Sequence, residues 1–201
     1  MLNIVYFYGK TAYLNITNKC PCSCTFCIRN ATDSLGSADS LWLDHSPSMD
    51  EIKAAIDNAG LEKNSEIVFC GFGEPTCEIE KLILTADYLK ENYNSKIRLN
   101  TNGLGNLYNG RDIIPLLKGR IDIISVSLNA PNSQEYQKTV RPRFGDISYD
   151  SMLDFTRECV AAGFEVIMSV VDIIGETAVE ASRAVCESTG AKFRIRHYTE
   201  N

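Results

Sequence analysis

The chain has 201 residues, 44% of them hydrophobic and 23% charged, a size and balance that suit one globular domain with a sizeable core. Its net charge of −6 argues against broad, nonspecific phosphate binding, so a nucleic-acid partner is not indicated. Residues 1–8 lack the basic start and long apolar run of a signal peptide, and no stretch approaches the roughly 20 apolar residues that span a bilayer. These readings point to the cytoplasm.

In chain order, alternation over residues 3–8, a Gly9-Lys10 turn and a strand around Ala12 to Thr17 predict an opening hairpin. Ser48 and Glu51 have the spacing of a capping box. Ile52, Ala55, Ile56 and Ala59 follow at helical spacing, and Gly60 supplies a stop. Glu66 to Cys70 reads as a buried strand. GFGEPT then leads into a helix with Ile79, Leu82, Ile83, Ala86 and Leu89 on one face.

Lys96 to Thr101 is the next strand, followed by Asn102, Gly103 and Gly105 and by a short helix near Ile113 to Leu117. Ile121 to Leu128 is another strand. A polar connection carrying RPRFG precedes a helix from about Asp150 to Ala162 and the apolar strand Phe164 to Val171. A helix from Glu176 to Thr189 and a last strand from Lys192 to Arg196 complete the pattern. Strands alternating with helices favour a parallel α/β sheet with right-handed crossovers, since each connection returns the chain to the same sheet edge. Functional groups of such folds gather beyond the carboxyl ends of the strands. The cysteine-rich loop, GFGEPT, NTNG, SLNA and VDIIGE all fall there.

Four of the eight cysteines lie in CPCSCTFC, residues 20–27. Without an export signal, such clustering points to metal or redox chemistry rather than disulfides. The segment has two parses. Four thiolates would saturate zinc or a cluster and suit an electron-transfer or scaffolding protein that is not an enzyme. C-x3-C-x2-C with Cys22 extra leaves one iron of a 4Fe–4S cluster open to a ligand.

Cysteines at this spacing after the first strand, with Phe26 just before the last, resemble the radical S-adenosylmethionine (SAM) superfamily. GFGEP, NTNG and SVSLNA follow in the order that superfamily uses. More narrowly, YLNITNKCPCSCTFCIRN, IVFCGFGEPT, RLNTNGLGNL, SVSLNAP and RPRFG look like the TatD-associated radical SAM proteins. The resemblance implies an open partial (β/α)6 barrel of parallel strands with a small N-terminal hairpin. It also implies a site-open 4Fe–4S cluster on Cys20, Cys24 and Cys27, with Cys22 a bystander. The cofactors would be that cluster and S-adenosylmethionine, the reductant a flavodoxin or ferredoxin, and a functional link to a TatD-type nuclease is possible by association.

By the same resemblance Gly71, Gly73 and Glu74 contact the methionine amino group of the cofactor, with Pro75 shaping the turn, and Phe26 belongs to the cofactor site. The commoner pattern has two adjacent glycines, and Phe72 stands here in place of the first. Ser127 and Asn129 are implied contacts to the cofactor ribose or carboxylate, with Thr101 and Asn102 in a similar role. The plainer reading of both segments is a turn. Arg141, in preference to Arg143, is a candidate carboxylate clamp because guanidinium geometry is bidentate. Cys77 at a helix start is a candidate hydrogen-atom donor or a small apolar packing residue. Trp42 is expected as a core or lid residue near the cysteine loop, His197 as a site wall, and Arg194, Arg196 and His197 as a local basic patch.

Overall fold

The computed structural model describes residues 2–63 and 65–197. Its strands, in chain order, are β1 (Val5–Tyr8), β2 (Thr11–Leu14), β3 (Glu66–Phe69), β4 (Lys96–Thr101), β5 (Ile123–Ser127), β6 (Glu165–Val171) and β7 (Lys192–Arg196). The α-helices are α1 (Met49–Asn58), α2 (Ile79–Tyr93), α3 (Gly105–Asn109), α4 (Ile114–Leu117), α5 (Ser133–Thr139), α6 (Ile147–Ala161) and α7 (Glu176–Glu187). No described helix is long and apolar enough to cross a membrane. The chain divides into two compact units, one of Met1–Cys20, Ile28–Asn100 and Pro115–Asp122, the other of Pro21–Cys27, Thr101–Ile114 and Ile123–Asn201.

In the first unit β1 and β2 form the expected antiparallel hairpin, with Val5 opposite Leu14 and Tyr8 opposite Thr11. β2 pairs with β3 and β3 with β4, both in parallel. The crossover α1 begins at a complete capping box: the Ser48 hydroxyl accepts from the Glu51 amide and the Glu51 carboxylate accepts from the Ser48 amide. The backbone hydrogen bond from Ser48 and the contacts from His45 and the Ser48 hydroxyl hold the Glu51 carboxyl down at about 2. A folded value below the ordinary carboxylate range adds stability above about pH 4.3, the unfolded value, and loses it as pH falls toward 2. Glu51→Gln is therefore expected to flatten the acid limb of the stability curve between those pH values. Urea midpoints measured against pH check this.

Ile52 and Ile56 of α1 and Leu82, Ala86 and Leu89 of α2 have no solvent exposure, as the helical spacing requires. Ile67, Phe69, Ile97 and Leu99 of the strands are wholly buried as well. Each such leucine or isoleucine contributes about 1.5–3 kcal/mol of burial. α2 stops at Asn94, whose left-handed φ of 50° ends the helix one turn later than the last apolar position suggested.

In the second unit β5 pairs with β6 and β6 with β7, again in parallel. α6 packs on β6 and α7 on β6 and β7. Met152, Phe155 and Cys159 of α6 and Cys186 of α7 are sealed from solvent, and burial pushes the Cys159 thiol up to about 12. The strand and helix order expected from the alternation is present. Two α-helices were not expected: α3, ahead of the short helix near Ile113 to Leu117, and α5, inside the polar connection before RPRFG. Asn132 caps it by accepting from the Glu135 amide, and the Asn132 amide group meets the Glu135 carboxylate at 3.2 Å. Asn-x-x-Glu was thus a legible start signal in a stretch too polar to show an apolar stripe.

Candidate functional site

In the first unit the site segments stand at the exit of β2 and of β3. GFGEP lies against the chain leaving β2. A methyl group on Gly71 would overlap the Asn15 side chain, and one on Gly73 would overlap the Thr17 carbonyl, with the Lys19 carbonyl only 2.9 Å away. Neither glycine has a positive φ. Close approach, to the Asn15 side chain at Gly71 and to main-chain atoms at Gly73, rather than turn geometry, therefore excludes a side chain at both positions. The Glu74 amide donates to the Lys19 carbonyl (2.8 Å), which ties GFGEP to the residue just before Cys20.

Glu74 is 5% exposed, and its carboxylate accepts from the Thr76 amide and hydroxyl at 3.1 and 2.8 Å. It thereby caps the 3-10 turn Pro75–Glu78. Cys77 sits in that turn, buried, with its amide bonded to the Glu74 carbonyl, so packing accounts for it. Phe72 is buried with Tyr6, Ala38 and Leu41. Trp42 meets its ring edge-on at a centroid distance of 5.1 Å, and the Trp42 indole donates to Asp33. Trp42 therefore packs over GFGEP. Asn15 is buried, its amide group donates to the Leu41 carbonyl (2.7 Å), and its Oδ1 accepts from no donor among the described residues.

In the second unit residues 21–27 are held by backbone bonds to residues 139–143. Cys22 forms an antiparallel bridge with Pro142. The Ser23 and Thr25 amides donate to Val140 and Thr139, and the Arg143 amide donates to Pro21 at 2.8 Å. RPRFG is thus a backbone brace for the cysteine loop. Its sequence gave only the two guanidinium groups to reason from, and main-chain pairing has no side-chain signature. Arg141 adopts φ 50°, and its Nε donates to the Lys138 carbonyl at 3.3 Å. The Arg143 guanidinium lies over the Tyr108 and Phe144 rings at 5.2 and 4.8 Å.

Among the cysteines of this segment, Cys22 differs from Cys20, Cys24 and Cys27. It is 3% exposed, and the Asn102 amide approaches its sulfur at 3.6 Å. The other three are partly exposed. Phe26 is partly exposed as well. Among the described residues no three cysteine, histidine or acidic groups are already gathered as a metal cage. The fit of an iron–sulfur cluster accordingly rests on three partly exposed thiols at cluster spacing on a braced loop.

Thr101 and Asn102 end β4 in an Asx-type turn: Asn102 Oδ1 accepts from the Leu104 amide, and the Thr101 hydroxyl accepts from the Gly103 amide. Ser127 is the last residue of β5, partly exposed. Asn129 turns the chain with φ 55°, and its Oδ1 accepts from Arg196 at 3.3 Å. His197 is highly exposed and meets Asp172 at 2.8 Å. Cys70, expected among the buried thiols, is half-buried at the exit of β3.

The Radical SAM superfamily model matches residues 14–183, a span that begins in β2 and runs into α7. A radical SAM methyltransferase from Sphaerobacter thermophilus has a similar structure, with a TM-score of 0.64 and 18% identity over 96% of this chain and 68% of its own. Streptococcus suis SuiB bound to S-adenosylmethionine superposes with a TM-score of 0.62 and 17% identity over 94% of this chain and 38% of its own. Native anSMEcpe with bound AdoMet gives 0.63 at 14% identity, over 94% and 51%. This chain thus spans about two thirds of the first of these proteins and less than two fifths of the second. At such identities the likeness is one of fold, and it bears out the open α/β partial barrel with mostly parallel strands. No curated protein sequence matches the chain. With the family model covering most of its length, the chain belongs to the Radical SAM superfamily, whose enzymes work with a 4Fe–4S cluster and S-adenosylmethionine.

Proposed function

We propose that the chain is a radical SAM enzyme that binds a site-open 4Fe–4S cluster through Cys20, Cys24 and Cys27 and abstracts hydrogen from a substrate. The observation that carries the ligand set is Cys22, sealed from solvent with its sulfur engaged by Asn102, while its three neighbours keep accessible thiols. When bound, the cluster and cofactor supply one-electron cleavage of a carbon–sulfur bond, giving methionine and a 5'-deoxyadenosyl radical that takes a hydrogen atom from substrate.

The protein's own residues position the reactants. Gly71 and Gly73 let GFGEP lie flat against the β2 exit, where its backbone and the unpartnered Asn15 Oδ1 suit an ammonium group such as the cofactor's. Glu74 braces that segment through Thr76, so its role in cofactor binding acts through the turn. Phe26, Thr101, Asn102, Ser127 and Asn129 are proposed to line the rest of the cofactor site, and Arg141, on its constrained backbone, to meet a carboxylate.

The ordered motif set supports a place among the TatD-associated radical SAM proteins, and with it a functional link to a TatD-type nuclease. A flavodoxin or ferredoxin is the proposed electron donor. Cysteines clustered for metal or redox chemistry suit the cytoplasm, where glutathione keeps thiols reduced. The acidic balance of the chain gives no support for a nucleic-acid substrate.

The test is anaerobic. The protein is reconstituted, reduced and given S-adenosylmethionine, then 5'-deoxyadenosine is assayed while the reduced cluster is followed by electron paramagnetic resonance. Product together with a spectral change on adding cofactor is the expected result. An intact cluster giving neither overturns the proposal.

A further inference from the structure

In the first unit the register sets Tyr6 opposite Tyr13 and Tyr13 beside Val68. Side chains two apart on a strand share a face, so Cys70, two residues past Val68, falls on the face of the two tyrosines, with Ile67 and Phe69 on the other. The Cys70 amide donates to the Leu14 carbonyl (3.0 Å), which carries the ladder one step past Leu14 and Phe69 and makes Asn15 the residue level with Cys70. Tyr6 is 2% exposed. Its hydroxyl donates to the Cys70 carbonyl at 3.2 Å, and its ring stacks on Tyr13 at a centroid distance of 5.2 Å.

The Cys70 side chain is within hydrogen-bond reach of the same hydroxyl. Burial above all, then Cys70 and Tyr13 beside it, push that hydroxyl above the ordinary phenol range, so Tyr6 keeps its proton. Thiol S–H and phenol O–H are the side-chain bonds that most readily give up a hydrogen atom, and here the two stand together. Cys77 is buried and packed, whereas Cys70 is partly exposed where GFGEP begins. A ligand is indicated at the same place by Asn15. It is 1% exposed, and its Oδ1, which accepts from no donor among the described residues, lies against Gly71, the residue after Cys70. The proposed occupant there is the ammonium group of the cofactor, so Cys70 borders the reaction site.

We infer that Cys70 is the hydrogen-atom donor that ends the substrate radical, and that Tyr6 renews it; the inference rests on the radical SAM reading. The S–H bond of Cys70 breaks and a C–H bond forms on the substrate, which leaves the unpaired electron on sulfur. Sulfur then takes a hydrogen atom from the Tyr6 hydroxyl. The tyrosyl radical, stacked on Tyr13, is restored by one electron from the flavodoxin- or ferredoxin-type reductant and a proton from solvent. The substrate loses one hydrogen atom and gains another, so the product is its isomer: the reaction class is epimerisation or rearrangement, not dehydrogenation.

The test needs no substrate. In the folded apoprotein Cys70 is expected to react with iodoacetamide, located by peptide mass, because a donor has to be reachable from the site. The holoenzyme is then reduced in deuterium oxide with S-adenosylmethionine alone as the probe, so that the exchangeable thiol carries deuterium. The 5'-deoxyadenosine formed is expected to carry a single deuterium. Cys70→Ala and Cys70→Ser are each expected to lose that label with iron content retained, since neither an alkyl C–H nor an alcohol O–H replaces the thiol. Tyr6→Phe keeps the stacked ring. It is expected to retain the label in a single turnover and to lose the tyrosyl resonance that the wild type shows when reductant is limiting.

Unlabelled 5'-deoxyadenosine from the wild type, a label that persists in Cys70→Ala, or a Cys70 that iodoacetamide does not reach overturns the inference and leaves the radical reading standing. A tyrosyl resonance unchanged in Tyr6→Phe overturns the part given to Tyr6. An intact cluster that yields no 5'-deoxyadenosine removes the radical reading and the donor with it.

Discussion

Cys24→Ala and Cys27→Ala are expected to reduce 5'-deoxyadenosine formation by more than about a thousandfold, because the reaction belongs to the cofactor and enzymic accelerations run at about 10⁶-fold or more. Iron content and the reduced-cluster resonance should fall with them. Cys22→Ala is expected to keep both cluster and product, since its sulfur is already buried against Asn102. A fall in iron content in Cys22→Ala equal to that in Cys24→Ala would mean four ligands and a closed cluster. Asn102→Ala separates packing from ligation. It removes the amide beside the Cys22 sulfur and is expected to loosen the loop, seen as faster alkylation of Cys22, without changing the iron count.

The second large effect concerns Gly73. Gly73→Ala places a methyl group into the Thr17 carbonyl, and backbone on both sides leaves little room to relax. Overpacking of this kind costs about 1–3 kcal/mol. Functional loss should exceed the stability loss, because the Lys19 carbonyl that meets the Glu74 amide immediately precedes Cys20. Urea unfolding and iron retention, measured on the same preparation, test the pairing of the two effects. Wild-type stability with full iron retention would show that the close approach is not required. Gly71→Ala is expected to cost less, since the atoms it meets belong to the Asn15 side chain rather than to the main chain.

Both results depend on local arrangements that differ in how visible they are in the chain. β3, β4 and β6 are legible because apolar runs bounded by turn residues leave few alternatives, and α1 because a capping box, an apolar period and Gly60 agree. α5 was missed because its only buried side chain is Tyr136, too little to make a stripe. The glycines of GFGEP read as cofactor contacts, and the structure adds ordinary φ angles and a packing reason for their lack of side chains. Arg141 and Arg143 suggested a clamp by charge, and the segment's observed work is done by main-chain atoms on the cysteine loop. Arg194 and Arg196 read as a surface patch. Strand register sets Arg194 beside Ser169, and hydrogen bonds across β6 join Arg194 to Ser125 and Arg196 to Asn129.

By itself the sequence determined the alternating α/β order, the superfamily and the segment proposed to carry the cluster, because each rests on spacing along the chain. Only the tertiary structure decided which cysteine is set apart, why GFGEP excludes side chains and which residues share the face of β5–β7. Those properties depend on what the folded chain brings within a few ångströms, and sequence separation carries no record of that distance.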